Sequence, residues 1–111
     1  MAVYASLRIN CSNEKVAELN SVLAVEANYL NDGWGWGYEI VVQEDENVDY
    51  ITSLIDIINN KQTDLKKKGV VEGDIELWIL KEESFNWNFE IPYEKLKILG
   101  DMGVSLCVST F

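Results

Sequence analysis

Asp45-x-Asn47-x-Asp49, with Asp56 further along, has part of the oxygen-ligand spacing of a calcium loop. Such a loop needs a glycine at its sharp turn, and Tyr50 stands there instead. The apolar helical period already starts at Val48, so these oxygens read as the acidic start of a helix, where they suit its dipole. Gly33, Gly35 and Gly37 alternate with Trp34 and Trp36. A phosphate cradle needs glycines that lead into a helix N-terminus, and these lead into a strand. The aromatic residues offer a stacking platform for a sugar or base, but alternation onto one face more simply packs a sheet into its own core. The glycines leave room for a ring such as Trp78 or Tyr4 to approach the opposite face.

Acid-base chemistry has little to work with. Nineteen acidic residues can be paired in many ways, and no pair is set in an apolar surround that would raise one pKa. The chain has no histidine to activate its serines or cysteines, nor to ligate zinc. Cys11 and Cys107 lie at opposite ends of the sequence and match no metal-ligand spacing. They read as buried thiols in a reducing compartment. The expectation is a protein that is not an enzyme and holds neither metal nor cofactor.

The elements that would position a binding surface follow from periodicity. Val3, Ala5, Leu7 and Ile9 alternate with Tyr4, Ser6, Arg8 and Asn10, which marks a half-buried strand. Ser12 or Asn13 caps a short helix with Val16, Leu19 and Leu23 buried, and Ser21 to Asp32 reads as loop ending at Asn31-Asp32-Gly33. Period two then groups Trp34, Trp36, Tyr38, Ile40 and Val42 on one face of a strand. Val48, Ile51, Leu54, Ile55, Ile58 and Leu65 make the stripe of one long helix from Val48 to Lys68. Asn47 is its expected N-cap and Gly69 its C-cap, for a length of about 30 Å at the standard rise per residue. Ile75, Leu77 and Ile79 face inward on a third strand, with Glu76, Trp78 and Leu80 outward. Phe85 to Ile91 reads as an extended arm or edge strand, Pro92 opens a short helix through Leu96 and Leu99 closed by Gly103, and Val104, Leu106 and Val108 face the core from a last strand.

One-sided strands and helices fit a single α+β domain over residues 1–111. The expected form is a two-layer sandwich, a mostly antiparallel sheet with one long and two short helices on one face. No apolar run is long enough to cross a bilayer, and the N-terminus has no signal-peptide pattern, so the expected location is cytoplasmic. A net charge of −10 argues against nucleic acid and for a basic protein partner.

The chain resembles a bacterial family, domain of unknown function 4279. The likeness rests on Tyr4-Ala5-Ser6-Leu7-Arg8-Ile9, the Trp-bearing strand from Trp34 to Gln43, the helix ending in Leu65 to Gly69, and Asp74-Ile75-Glu76-Leu77. It continues through Ile91-Pro92-Tyr93-Glu94-Lys95-Leu96 to Met102-Gly103-Val104-Ser105-Leu106. The resemblance implies the fold and supplies no activity. In size and acidity the chain also looks like a toxin immunity protein, which neutralises a cognate basic toxin, often a nuclease, by binding it.

The expected partner-binding residues are Glu44, Asp45, Glu46, Asp49, Glu72, Asp74, Glu82 and Glu83 at element ends, with Tyr4 and Trp78 on the outward sheet face. That face also carries Arg8, Glu39, Glu76 and Ser105, with Arg8 expected to pair with Glu39 or Glu76 across strands. The alternative is a regulatory domain that binds a small molecule or peptide in a pocket near Trp34, Trp36 and Trp87. Phe85 to Ile91 is also a candidate edge for pairing two copies into a homodimer.

Overall fold

The alternation at the start of the chain becomes β1 (Ala2–Asn10), an inner strand of a four-stranded sheet. Its inward residues Ala5, Leu7 and Ile9 are fully buried and Val3 nearly so. β1 pairs antiparallel with β2 (Gly35–Gln43) on one side and with β3 (Ile75–Lys81) on the other. β3 pairs parallel with β4 (Val104–Thr110), so the strand order is β2-β1-β3-β4. The computed structural model describes residues 2–29, 34–43, 49–82 and 90–111. The expected turn at Asn31-Asp32-Gly33, the cap at Asn47, and most of the Phe85 to Ile91 arm lie outside the described residues.

Helices α1 (Val16–Leu23), α2 (Tyr50–Ile58), α3 (Gln62–Lys67) and α4 (Tyr93–Asp101) send Leu19, Leu23, Leu54, Ile55, Ile58, Leu65 and Leu99 into the core formed by the inward sheet residues. The result is a two-layer α+β sandwich with its helices on one face. Each fully buried Leu or Ile contributes on the order of 1.5–3 kcal/mol relative to exposure. Trp36 joins this core with no exposed surface, because its indole Nε1 donates to Asn20 Oδ1 of α1 at 2.8 Å.

The expected long helix is divided. Asn59 is extended, with ψ 133°, and Asn60 is left-handed, with φ 64°. Asparagine tolerates that conformation better than most residues. The apolar stripe also lapses after Ile58 and resumes only at Leu65, so nothing holds a continuous helix to the core there. The expected C-terminus is present: Gly69 has φ 87°, its N–H donates to the Lys66 carbonyl, and the Val70 N–H donates to the Leu65 carbonyl. Cations complete two helix ends, since Lys15 Nζ donates to the Lys68 carbonyl at 2.8 Å and Lys61 Nζ to the Val22 carbonyl at 3.2 Å. At β4 the inward pattern fades. Val104 is buried and Leu106 half-buried, but Val108 is 49% exposed, because the helix layer covers only the start of this edge strand.

Asp49 is the N-cap of α2, accepting from the Thr52 N–H at 3.1 Å and the Thr52 hydroxyl at 2.7 Å. These bonds hold its carboxyl below the ordinary value. A depressed carboxylate pKa stabilises the fold above the unfolded-state value and is lost as pH falls through the folded-state value. Asp49→Ala is expected to cost about 1 kcal/mol at neutral pH. Urea unfolding of wild type and Asp49→Asn, which keeps an acceptor, should show a wild-type advantage that fades below about pH 4.

Candidate functional site

The helix layer leaves the opposite face of the sheet to Tyr4, Ser6, Arg8, Glu39, Val41, Glu76, Trp78, Leu80 and Cys107. Register sets them in rows: Tyr4 lies between Val41 and Leu80, Ser6 between Glu39 and Trp78, and Arg8 between Gly37 and Glu76. Cys107 stands beside Trp78 on the next strand.

Arg8, the only arginine in the chain, anchors this face. Its guanidinium carbon lies 4.3 Å from the Trp34 ring centroid and 4.5 Å from that of Trp78, with the Tyr29 centroid at 5.6 Å. Its Nε donates to Ser6 Oγ at 3.2 Å, and Ser6 is 1% exposed. Stacking of this kind is worth about 0.5–2 kcal/mol, depending on desolvation. The cross-strand ion pairs expected of Arg8 do not form, since it has no carboxylate oxygen within 4.0 Å among the described residues. Glu76, directly opposite in register, instead accepts from Trp78 Nε1 at 3.3 Å and from the Cys107 thiol at 3.9 Å.

Two glycines make the stack possible. Gly35 has φ 99°, and a Cβ there would meet Cys11; the turn ends the expected alternation one residue early, so Trp34 lies over the outer face while Trp36 enters the core. A Cβ on Gly37 would strike the Tyr29 carbonyl and lie 2.9 Å from Trp34 Nε1. That indole nitrogen is buried without a hydrogen-bond partner among the described residues. Tyr29 meets Trp34 edge to face, with centroids 5.2 Å apart and planes at 73°. It is held by its own N–H and that of Asn28, both donating to the Gly37 carbonyl, while the Asn28 side chain bonds both backbone groups of Glu39. Residues 28–29 thus close part of the β2 edge.

Beside the stack lies a shallow groove of about 360 Å³ lined by Tyr4, Tyr29, Glu39, Leu80 and Phe111. The Tyr4 and Phe111 rings are 5.7 Å apart at their centroids, and Phe111 donates its backbone N–H to the Lys81 carbonyl. Burial pushes the Glu39 carboxyl up, and Arg8 pulls it partway back. Burial also raises both thiols, helped at Cys107 by Glu76, which keeps them protonated at neutral pH. Among the described residues no group of three or more potential metal-ligating side chains comes together.

The sequence-predicted residues are dispersed. Tyr4 and Trp78 share the open face, and Glu72 is exposed before β3. Asp74 Oδ2 accepts from the Val71 N–H and Glu82 Oε1 from the Ala2 N–H, so both brace the backbone at opposite ends of β3. Asp49 caps α2. Glu44, Asp45, Glu46, Glu83 and Trp87 lie outside the described residues. Trp34 and Trp36 do not meet in one pocket. Glu39, Tyr29, Leu80 and Phe111 were missing from the expected site; alternation already put Glu39 and Leu80 on the face of Tyr4, whereas Tyr29 and Phe111 arrive through irregular backbone that has no period to read.

The fold is a two-layer α+β sandwich; among the described residues one sheet face carries no helix, and no helix is long and apolar enough to cross a membrane. Comparison with known proteins brings no relative: no family model, curated protein or solved structure matches the chain.

A carboxyl with a raised pKa destabilises the fold once ionised, because the folded state holds its proton more tightly. Stability should fall as pH rises from the ordinary glutamate value through the raised one. Glu39→Gln should therefore be at least as stable as wild type at pH 7 in urea, with the difference shrinking toward acid pH.

Proposed function

We propose that the chain is a non-enzymatic binding protein, an acidic immunity protein that acts in the bacterial cytoplasm by capping a cognate basic toxin domain. The observation that carries this reading is the sheet face on which no described helix packs. It sets Tyr4, Trp78 and Phe111 beside Glu39 and Glu76, neither of which forms an ion pair with a described residue. Half-buried Tyr4 and Trp78 and exposed Phe111, beside carboxylates without an ion pair among the described residues, suit the core and steering charge of a protein interface. The net charge of −10 adds a long-range field that draws a basic partner and repels nucleic acid. Kinship with the domain of unknown function 4279 family is proposed on the residues quoted above and adds no activity.

The second reading, a regulatory domain for a small molecule or peptide, draws on the groove beside Tyr4. It would be supported by saturable quenching of tryptophan fluorescence by a metabolite.

The test is capture of a partner by the tagged chain from its source lysate at low and high salt, followed by reconstitution with the purified protein. The expected result is one stoichiometric basic protein whose toxicity the chain suppresses and whose association rate falls with salt. Charge reversal at Glu44, Asp45 and Glu46 should slow association severalfold. Retention of a neutral or acidic protein, or rates unchanged by salt and by charge reversal, would contradict the reading.

A further inference from the structure

We infer that the groove between Tyr4, Tyr29, Leu80 and Phe111 receives a lysine or arginine side chain of the basic protein partner, with Glu39 as its counter-ion. This deepens the proposed function and rests on it. Three observations point the same way.

First, the walls suit a cation. Tyr4, Tyr29 and Phe111 supply aromatic faces or edges around about 360 Å³ of open space, and Leu80 supplies an apolar floor for a methylene stem. Second, Glu39 stands in this apolar lining without an ion pair among the described residues. Its backbone is fixed by two hydrogen bonds with the Asn28 side chain, which anchor the stem of the carboxylate at the groove. A partly desolvated carboxylate gains more from an incoming cation than an exposed one does, and burial has already raised this one.

Third, the charge balance of the face excludes the opposite occupant. Arg8 is the positive group there, against Glu39 and Glu76, and its guanidinium is committed to Trp34, Trp78 and Ser6. An anion entering the groove would meet Glu39 directly and would have to cross the field of a chain carrying −10. A cation meets neither obstacle, and the stacked Arg8 holds the neighbouring rings in place.

The experiment is a two-dimensional NMR titration of the full chain with a short arginine- and lysine-rich peptide. It is repeated with the same peptide carrying citrulline and norleucine in place of its cations, and with tetraethylammonium. Glu39→Gln is compared with Glu18→Gln, which removes the same charge from an exposed site on α1 in the helix layer. The expected result is saturable shifts at Tyr4, Glu39 and Leu80 with the cationic peptide. Affinity should fall about tenfold in Glu39→Gln and less than about twofold in Glu18→Gln, as for loss of one charge-assisted contact. Phe111→Leu should weaken binding by removing the ring while keeping apolar bulk.

Binding that responds equally to both glutamine variants would overturn the groove assignment and leave the basic-partner reading standing. Equal binding of the neutral peptide would overturn the cation. Tetraethylammonium binding as tightly as the peptide would make the groove a small-cation site and overturn the protein partner. No binding of the cationic peptide to wild type would overturn the inference, while the basic-partner reading stands or falls on the capture and reconstitution experiment.

Discussion

One-sided burial of the sheet is the constraint on which the rest of this structure depends. Four strands share an inward face so apolar that Ala5, Leu7, Ile9, Trp36, Leu77 and Ile79 are fully buried. Covering it uses all four described α-helices. Trp36 ties the two layers together: among the described residues it has the largest fully buried side chain, and its single donor finds Asn20 on α1, so β2 and α1 are fixed to each other by shape and by a hydrogen bond. With the described helices on that side, the outer face is stabilised among the described residues by its own side chains and by Tyr29 and Trp34.

The outer face answers that need with stacked rings and an arginine. Arg8 fills the space between Trp34 and Trp78, screens Ser6 from water, and rests its planar head on ring faces. A lysine would lose that planar contact. The arrangement depends on backbone as much as on side chains, because a Cβ at Gly37 would collide with the Tyr29 carbonyl and the Trp34 indole. It leaves a rigid patch next to a groove whose carboxylate has no ion pair among the described residues. Preorganised aromatic and charged groups of this kind lower the ordering cost of binding.

Much of the fold was legible in the residues. Period two in β1 and β3 assigned each side chain to its face, and Pro92, Gly69 and Gly103 marked helix ends where the chain turns. The division of the long helix was harder to read. Asn59 and Asn60 are merely weak helix formers, and only their extended and left-handed geometry reveals the break. Trp34 misled for a related reason: alternation assumes extended backbone, and Gly35 at φ 99° reverses the side on which the preceding ring falls. Asp49, Asp74 and Glu82 turned out to hold local backbone, which sequence spacing alone separates only weakly from a binding role.

The proposal that joins fold to function is that the sheet face opposite the described helices is the working surface. The most direct test is hydrogen–deuterium exchange of the chain, free and in complex with its captured basic partner. The account predicts added protection in β1, β2 and β3 and at Asn28 and Tyr29, with α1 and α4 unchanged. Protection confined to α1, α4 or the α2–α3 junction would contradict it and move the interface to the helix layer.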